Sequence, residues 1–256
     1  MSNCQLINAN CLDYLQDRKQ TWTTIFADPP DGISLNYNHY NDRTPPDQYV
    51  ALLRQWLNCF ILRAKTVWFS YNARWTFEIG KIVTELLIQN RGLEAKPCVQ
   101  TFSFGQHCHT DLGNNHRPLL RLRGHDAPLL PDAIRVPSWR QEHGDKRADP
   151  RGRVPGDHFN FPRVTGNSKQ RRPWHPTQLN EGLVERCIKL TTPEGGTVLD
   201  PFAGTGTTLR VCKRINLSCT LLEVDTLYCA KIAEEHALAR TGTHHWESGE
   251  PFPECY

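Results

Sequence analysis

The strongest local signal in this chain is the sequence Thr197-Val198-Leu199-Asp200-Pro201-Phe202-Ala203-Gly204-Thr205-Gly206-Thr207-Thr208. Its first four residues predict a buried strand, and a helix is predicted after Gly206. Glycines in a loop between a strand and a helix let the backbone approach a ligand closely. The stretch therefore predicts one strand, loop and helix of an α/β fold, with a ligand-binding loop at its centre.

The residues around this loop exclude two common nucleotide sites and favour a third kind. A Walker-type phosphate loop ends in GK[ST], but no lysine is present here, and a dinucleotide fingerprint needs a third glycine where Leu209 stands. Glu223 ends the next predicted strand, 19 residues beyond Gly204, where an acidic side chain accepts hydrogen bonds from ribose hydroxyls. A nucleoside-containing cofactor is predicted; the alternative is an incidental glycine turn and a surface glutamate.

Strand and helix patterns alternate on both sides of this loop. Residues 21–26 and 66–70 are rich in β-branched and aromatic residues, and residues 46–62 have the spacing of an amphipathic helix. Further elements are predicted at residues 79–87 (helix), 99–104 (strand), 183–188 (helix), 219–223 (strand) and 227–238 (helix). The pattern predicts a Rossmann-like α/β fold, with a mostly parallel sheet and helices on both faces.

A second candidate motif, Asp28-Pro29-Pro30-Asp31, follows the strand predicted at residues 21–26. It would lie on the rim where open α/β sheets place their active sites. By itself, Asp-Pro-Pro is a common turn, so a purely structural role is the alternative. Because two rim motifs can share one cleft, the glycine loop favours a functional role.

These motifs together resemble a known family. Asp28-Pro29-Pro30 upstream and residues 200–208 downstream resemble the amino-group DNA methyltransferases of bacteria and phages. The order, with the catalytic motif first, a variable recognition segment next and the cofactor motif last, is similar to the permuted β class of that family. The segment Trp174-His175-Pro176-Thr177-Gln178 also resembles the family's residues just before the cofactor strand.

The resemblance implies S-adenosyl-L-methionine as the cofactor. Residues 202–206 would hold its methionine part, Asp200 would support its amino group, and Glu223 would bind its ribose. Thr177 would lie near its carboxylate, and Asn10 stands where the family usually has an aspartate near the adenine ring. The full set of implied cofactor residues is Asn10, Thr177, Asp200, Phe202, Ala203, Gly204, Thr205, Gly206, Thr207 and Glu223.

The chemistry of amine methylation explains the first motif. An exocyclic amine conjugated with its ring is a poor nucleophile, so two acceptors must aim it. Asp28 and the Pro29 carbonyl would accept the two amino hydrogens and point the nitrogen lone pair at the methyl donor. Asp28 would then help to remove the surplus proton. The predicted catalytic residues are Asp28, Pro29, Pro30 and Asp31.

The fourth residue of the catalytic motif departs from the family. An aromatic side chain normally stands there to stack on a target base that has been flipped out of the duplex. Asp31 cannot stack, and a carboxylate beside a base is costly unless it is hydrated or paired. Tyr37 and Tyr40 are the candidates to replace the missing ring. Three interpretations stay open: an active enzyme with relocated stacking, a changed substrate, and a chain that binds without catalysing.

The middle of the chain is basic. Residues 105–175 hold 13 Lys or Arg and 7 Asp or Glu, a balance of +6, so the rest of the chain carries 3 − 6 = −3. A solvated, loop-rich surface would explain this, but the place between the two motifs favours contact with DNA. The candidate DNA-binding residues are Arg117, Arg121, Arg123, Arg135, Arg140, Arg151, Arg153, Arg171 and Arg172, with Lys146 and Arg147 beside them.

Composition excludes several other classes. No apolar stretch approaches the length of a membrane-spanning helix, and the N-terminus lacks the features of a signal peptide, so a cytoplasmic protein is expected. The ten cysteines contain no CxxC pair and are expected to be reduced. The group Cys98, His107, Cys108, His109 and His116 matches no spacing of a structural zinc site, so no metal is predicted.

The sequence therefore predicts a DNA methyltransferase specific for adenine N6. Its parts would be a catalytic half (1–104), an inserted recognition region with little regular structure (105–173), a cofactor-binding half (174–240) and a loosely packed tail (241–256). Cytosine N4 is the closest alternative, RNA and protein substrates are more distant ones, and a catalytically silent DNA-binding protein is the alternative from another class. A homodimer and a partner nuclease from a restriction-modification system are further possible partners.

Overall fold

The computed structural model describes residues 2–16, 18–38, 40–103 and 108–248. Within them one sheet contains the strands β1 (Cys4–Asn8), β2 (Trp22–Ala27), β3 (Ala64–Ser70), β4 (Leu93–Thr101), β5 (His116–Gly124), β6 (His158–Asn160), β7 (Thr197–Asp200), β8 (Ser218–Glu223), β9 (Leu238–Gly242) and β10 (His245–Ser248). The helices are α1 (Cys11–Gln16), α2 (Pro46–Arg63), α3 (Thr76–Gln89), α4 (Trp139–Glu142), α5 (Glu181–Thr191), α6 (Thr207–Arg214) and α7 (Thr226–His236).

The strand order confirms a mostly parallel sheet. Across the sheet it is β6-β4-β5-β3-β2-β7-β8-β1-β10-β9. The five central strands, from β3 to β1, all run parallel. Among the strands of the described residues, the antiparallel pairs of this sheet lie towards its margins, where β5 joins β3 and β4 on one side and β10 joins β1 and β9 on the other.

Helices cover both faces of the sheet, as predicted. The side chains of neighbouring strand residues point to opposite faces, so Leu221 packs with α5, α6 and α7 while Leu222 packs with α1, α2 and α3. Val198 and Leu199 divide in the same way. The apolar runs of the central strands are therefore explained by burial on both sides.

The prediction of little regular structure after residue 105 is wrong for residues 116–124. They form β5, which pairs along its whole length with β4. Because β5 also pairs with β3, and β4 pairs with β6, β5 connects β4 and β6 to the rest of the sheet. The buried side chains of Leu119, Leu120 and Leu122 hold this strand in place. Residues 125–173 do match the prediction, since their regular structure is limited to a 3₁₀ turn at Pro131–Ile134, α4 and β6.

The two ends of the chain also differ from the prediction. The tail expected from residue 241 contains β10, which pairs with β1 and β9 at the margin of the sheet. The sequence pattern did not predict β1 at all, although its Leu6 is fully buried. The strand predicted at 99–104 is instead Leu93–Thr101. Phe104 and residues 249–256 lie outside the described residues.

The topology places three loops at one edge of the sheet. Because β2, β7 and β8 are parallel neighbours, their carboxyl ends meet there, and Asp28, Asp200 and Glu223 stand at those ends. Strand β5 runs the opposite way, so its beginning lies beside the end of β3, with Leu119 opposite Ser70. Arg117, two residues earlier on β5, is thereby brought to the same edge. In the described part of the chain, no helix is long and apolar enough to cross a membrane.

Candidate active site

A cleft of about 660 Å³ opens at this edge of the sheet and collects most of the predicted site residues. The turn at residues 28–31 and the glycine loop border the same space because β2 and β7 are hydrogen-bonded neighbours. The predicted residues that line the cleft are Asn10, Asp28, Pro29, Pro30, Asp31, Tyr37, Tyr40, Arg117, Thr177, Asp200, Phe202, Ala203, Gly204, Thr205, Thr207 and Glu223. Gly206 is absent from the lining; it lies just behind, at the N-terminus of α6.

Two glycines shape the loop between β7 and α6. Gly204 and Gly206 have φ angles of +51° and +73°, a region that residues with a Cβ rarely adopt. A Cβ on Gly204 would lie 3.3 Å from His175 Nε2, and one on Gly206 would lie 3.2 Å from Ile232 Cγ2. The loop therefore depends on glycine at both positions, for backbone conformation and for space.

Glu223 fastens this loop to the end of β8. Its Oε2 accepts a hydrogen bond from the Gly204 N–H at 2.8 Å, and its Oε1 accepts one from the Asp225 N–H at 2.9 Å. Burial raises the pKa of Glu223 to about 7, although both hydrogen bonds oppose the shift. The carboxyl group thus orders the loop while staying at the wall of the cleft.

Asp200 is the second buried acid of the cleft. One of its oxygens accepts a hydrogen bond from the Phe202 N–H at 2.9 Å, which fixes the first turn of the loop. Burial raises the pKa of Asp200 to about 7. Two carboxyl groups whose ionised forms are disfavoured by burial therefore face the same cleft, which suits a ligand that carries positive charge and hydroxyl donors.

The backbone of the catalytic motif is held from two directions. The Pro30 carbonyl accepts a hydrogen bond from the Tyr49 hydroxyl on α2, and the Asp31 carbonyl accepts one from Trp75 Nε1 at 2.7 Å. Pro29, which directly precedes these two residues, is buried. The two hydrogen bonds fix the backbone of this turn at the wall of the cleft.

Arg117 lies inside the cleft, which corrects its expected place on a DNA-facing loop. Its Nη2 donates to Asp28 Oδ1 at 2.7 Å and to Asp31 Oδ1 at 2.9 Å, and its Nη1 lies 3.3 Å from Asp31 Oδ2. Its Nε donates to Ser70 Oγ at 2.7 Å. Burial raises the pKa of Asp28, Arg117 opposes that shift, and Asp31 adds to it. Asp31 is therefore paired with a positive charge, and pairing is one of the two conditions under which a carboxylate beside a base is not costly.

Two tyrosines and a histidine form an aromatic group in the lining of the same cleft. The rings of Tyr37 and Tyr40 meet edge to face with centroids 6.0 Å apart, and Tyr37 lies 5.6 Å from His175. His175 was not among the predicted site residues, although the sequence around it resembles the family. Burial lowers the pKa of His175 to about 4, so the ring is neutral, and its Nδ1 lies 2.6 Å from the Thr177 carbonyl, to which it donates.

The other predicted DNA-binding arginines fall into two groups. The first group is engaged within the fold, since Arg123 pairs with Glu94, Arg172 pairs with Glu235, and Arg171 donates to the His175 carbonyl. Arg121 lies over the Trp68 ring, and Arg135 binds Asp132 and the Gly152 carbonyl. The second group is exposed on the segment 139–153: Arg140, Lys146, Arg147, Arg151 and Arg153. This second group is exposed to solvent, although Arg147 and Arg151 form ion pairs there, whereas Arg121 and Arg123 belong to β5.

The sequence predicted no metal site. Among residues 2–16, 18–38, 40–103 and 108–248, no group of three or more His, Cys, Asp or Glu side chains is placed to hold a metal ion. His107, one of the five side chains considered for zinc, lies outside those ranges. The cysteines within them are free thiols.

Comparisons with known proteins identify relatives over most of the chain. The family model described as DNA methylase (N6_N4_Mtase) matches residues 23–235. The Type II methyltransferase M.HpaI of Haemophilus parainfluenzae is 29% identical over 232 residues, which are 88% of this chain and 71% of that protein. The DNA adenine methyltransferase YhdJ of Escherichia coli (strain K12) is 27% identical over 72% of this chain and 65% of its own.

Solved structures confirm the fold. The PvuII DNA methyltransferase (cytosine-N4-specific) has a TM-score of 0.69 at 12% identity, over 91% of this chain and 86% of its own. M1.HpyAVI, solved as a complex with SAM, has a TM-score of 0.59 at 17% identity, over 91% of this chain and 99% of its own. With the family model covering most of the residues, the chain belongs to the DNA methylase family of N6 and N4 amino-methyltransferases, which use S-adenosyl-L-methionine.

Proposed function

We propose that this chain methylates the exocyclic N6 amino group of adenine at a specific site in DNA. The observation that carries the proposal is the shared cleft, in which Asp28 at the end of β2 and the loop after Asp200 at the end of β7 border one space. The DNA adenine methyltransferase YhdJ supports adenine as the base. M.HpaI, named as a Type II methyltransferase, supports a place in a restriction-modification system.

The cleft residues fit the cofactor that the family uses. S-adenosyl-L-methionine supplies a methyl group on a positively charged sulfonium. We assign the methionine part to residues 202–206, its amino group to Asp200 and its carboxylate to the neighbourhood of Thr177. The buried acids Asp200 and Glu223 suit the positive charge and the ribose hydroxyls of such a ligand.

We assign Asn10, which lines the cleft, to the adenine ring of the cofactor. Its side-chain oxygen accepts a hydrogen bond from the Leu12 N–H at 2.9 Å and thereby caps α1. Its amide N–H₂ is left to donate to an acceptor on the adenine edge of the cofactor. This places Asn10 at the rim of the cleft, where the family usually has an aspartate.

The catalytic work falls to the turn after β2. Asp28 has about four lone-pair sites as a carboxylate, so it can accept an amino hydrogen while Arg117 uses one of them. The Pro29 carbonyl is the second acceptor in our proposal. Together they hold the amine so that its lone pair points away from both acceptors, which is catalysis by orientation and electrostatics. The raised pKa of Asp28 favours its later role as proton acceptor.

A base inside a duplex cannot reach this turn, so the target nucleotide must be flipped out of the stack. In our proposal Tyr37 and Tyr40 receive the base, since both rings line the same cleft as the turn at Asp28. The Tyr37 ring is backed by His175, which limits its freedom to move. Stacking on these rings would offset part of the cost of unpairing.

The proposed DNA surface is the segment 139–153, with its exposed Arg140, Arg147, Arg151 and Arg153. Arg147 and Arg151 form ion pairs with Asp145 and Asp149, but the arginine side chains stay 81% and 63% exposed. Such surface pairs contribute little and can be exchanged for phosphate contacts. Binding that weakens steeply with salt is expected. A homodimer and a partner nuclease stay predictions.

Cytosine N4 is the second candidate base. The structure of the cytosine-N4-specific PvuII methyltransferase covers 91% of this chain. The N4 amine of cytosine is also conjugated with its ring and must be aimed in the same way, so the proposed acceptor pair of Asp28 and the Pro29 carbonyl would serve either base. Adenine is favoured by the YhdJ relative, which is similar in sequence across most of the chain.

The experiment that tests the proposal is product analysis. The purified chain is incubated with S-adenosyl-L-methionine and unmethylated DNA of mixed sequence, and the digested nucleosides are separated by mass spectrometry. N6-methyladenine confirms the proposal. N4-methylcytosine keeps the mechanism and replaces the base, whereas methylated RNA or protein, or cofactor binding without any methylated product, overturns it.

A further inference from the structure

We propose that Arg117 and Asp31 form a charge clamp that positions Asp28 for the target amine and sets its affinity for a proton. The inference rests on the proposed function, because it concerns the reaction at Asp28. Within the clamp, Arg117 is a positioning residue, and Asp31 acts through Arg117. Asp31, which stands where the family normally has an aromatic residue, thus has a distinct role in this chain.

The geometry of the clamp is specific. One nitrogen, Arg117 Nη2, contacts both carboxylates, at 2.7 Å from Asp28 Oδ1 and 2.9 Å from Asp31 Oδ1. Asp31 presents both oxygens to the guanidinium, whereas the contact with Asp28 uses one oxygen. The Asp31 pair is therefore the fork-like anchor, whereas Arg117 contacts a single oxygen of Asp28. Ser70 also forms a side-chain hydrogen bond with Asp28.

The arginine is itself fixed by the fold. Its Nε donates to Ser70 Oγ at the end of β3, and its backbone belongs to β5, which pairs with β3. Asp31, to which Arg117 is anchored, is also fixed, because Trp75 Nε1 donates to its backbone carbonyl and Asp31 is only 8% exposed. Because Ser70 and Asp31 both fix the Arg117 guanidinium, it can hold Asp28 in one position.

The charges explain why two acids accompany one arginine. Arg117 alone would hold Asp28 firmly ionised and weaken it as an acceptor of the proton that leaves the amine. Asp31 shares the positive charge, so the three groups together carry −1. Asp28 can then be oriented by Arg117 and keep enough proton affinity to serve as a base.

Other groups also act on Asp28. Asp200, at the end of the neighbouring strand β7, and Tyr37, which lines the same cleft, interact with it electrostatically. Tyr49 on α2 faces Asp31 and Arg117. Burial raises the pKa of both tyrosines, so they stay neutral near pH 7, and Arg117 is the basic partner that offsets the burial of Asp28.

The test is the pH dependence of methyl transfer by the full-length chain and by variants of the clamp. Arg117→Met removes the positive charge, so the acid limb of the kcat profile should move up by about one to three pH units. Asp31→Asn removes a negative charge, so the same limb should move down. Arg117→Lys keeps the charge but loses the planar fork that binds both Asp31 oxygens and the Nε donor to Ser70, so kcat should fall by about tenfold or more while the limb moves less than in Arg117→Met.

Arg214→Met is the matched control. Arg214 also binds two carboxylates, Glu181 at 2.7 Å and Glu185 at 2.8 Å, but it lies on α6 outside the lining of the cleft. Its profile should match that of the unchanged chain. The KM for S-adenosyl-L-methionine should stay within about threefold in the clamp variants, because the clamp acts on the amine and its proton.

The outcomes separate this inference from the proposed function. If the unchanged chain makes no methylated base, the proposed function fails first. If it is active and the two charge-removing variants leave the acid limb in place, or move it in the same direction, the clamp is overturned. Should Arg117→Met not fold, the direction of the Asp31→Asn shift decides alone, because a purely structural role would leave the limb unmoved.

Discussion

Glu223 Oε2 accepts a hydrogen bond from the Gly204 N–H across 19 residues of sequence, at 2.8 Å. This contact joins the end of β8 to the glycine loop, and the other oxygen of Glu223 accepts from the Asp225 N–H. A single carboxylate therefore satisfies two backbone donors. The shape of the loop depends on a side chain that also borders the cleft.

Replacing Glu223 with glutamine should loosen the loop. Glutamine offers one oxygen, so its amide N–H₂ would face one of the two backbone donors, and an unsatisfied buried group costs about 1 to 3 kcal/mol. Cofactor affinity measured by titration calorimetry should fall by about tenfold, which corresponds to about 1.4 kcal/mol. Glu234→Gln on the exposed face of α7 is the control. Unchanged affinity in Glu223→Gln would contradict this account of the loop.

Cofactor binding should release protons near neutral pH. Asp200 and Glu223 have pKa values of about 7, raised by burial from ordinary values of 3.8 and 4.5. Because the folded state holds these protons more tightly than the unfolded state, the two groups favour folding less as pH rises from about 4 to above 7. A positively charged ligand favours their ionised forms.

The affinity for S-adenosyl-L-methionine should therefore rise with pH across that range. Calorimetry at pH 7 in buffers with different ionisation enthalpies measures the protons released directly. Asp200→Asn should reduce that number and flatten the pH dependence. Proton uptake on binding, or an affinity that falls as pH rises from 6 to 8, would argue against the assigned contacts.

Gly206→Ala should destabilise the fold. Its φ of +73° adds about 1 to 2 kcal/mol for a residue with a Cβ, and that Cβ would also crowd Ile232 at 3.2 Å. Gly80→Ala is a control with the opposite sign, since Gly80 is exposed within α3 and its Cβ would meet nothing within 4 Å. It should stabilise the chain by about 0.5 to 1 kcal/mol. Urea unfolding of both variants measures the two effects, and equal midpoints would refute the prediction.

Tyr37→Ala should impair the capture of the target base. Stacking of a base on an aromatic ring contributes about 1 to 3 kcal/mol, so kcat/KM on duplex DNA should fall by about five- to 150-fold. Tyr37→Phe keeps the ring and should stay within about threefold of the unchanged chain. A fluorescent 2-aminopurine at the target position reports flipping independently of transfer. If the Ala and Phe variants behave alike, the base stacks elsewhere.

The sequence predicted the parts of the site that depend on local order. The loop after Asp200 and the turn after β2 each follow directly from the end of a strand at the edge of the sheet. Residues that are close in sequence therefore determine the conformation of both. The pairing of Arg117 with Asp28 is different in kind, since it spans 89 positions and requires β5 to run antiparallel to β3. Proline, glycine and arginine around β5 concealed that strand.

The ends of the chain illustrate the same limit. Strand β1 is five residues long, and its place is set by pairing with β8 and β10, both more than 200 residues away in sequence. A pattern so short gives no periodicity on which to base a prediction. The buried, neutral His175 was missed for a related reason, because its role comes from contacts with Tyr37 and Tyr228.

The central claim is that the turn at Asp28 directs a methyl group from S-adenosyl-L-methionine to an amino group in DNA. The most direct test measures transfer of a tritiated methyl group to duplex DNA by the unchanged chain, by Asp28→Ala and by Asp126→Ala, an exposed aspartate after β5, at matched cofactor occupancy. We predict that Asp28→Ala loses at least about a hundredfold in rate, while Asp126→Ala retains full activity. Transfer by Asp28→Ala at an undiminished rate would contradict the account.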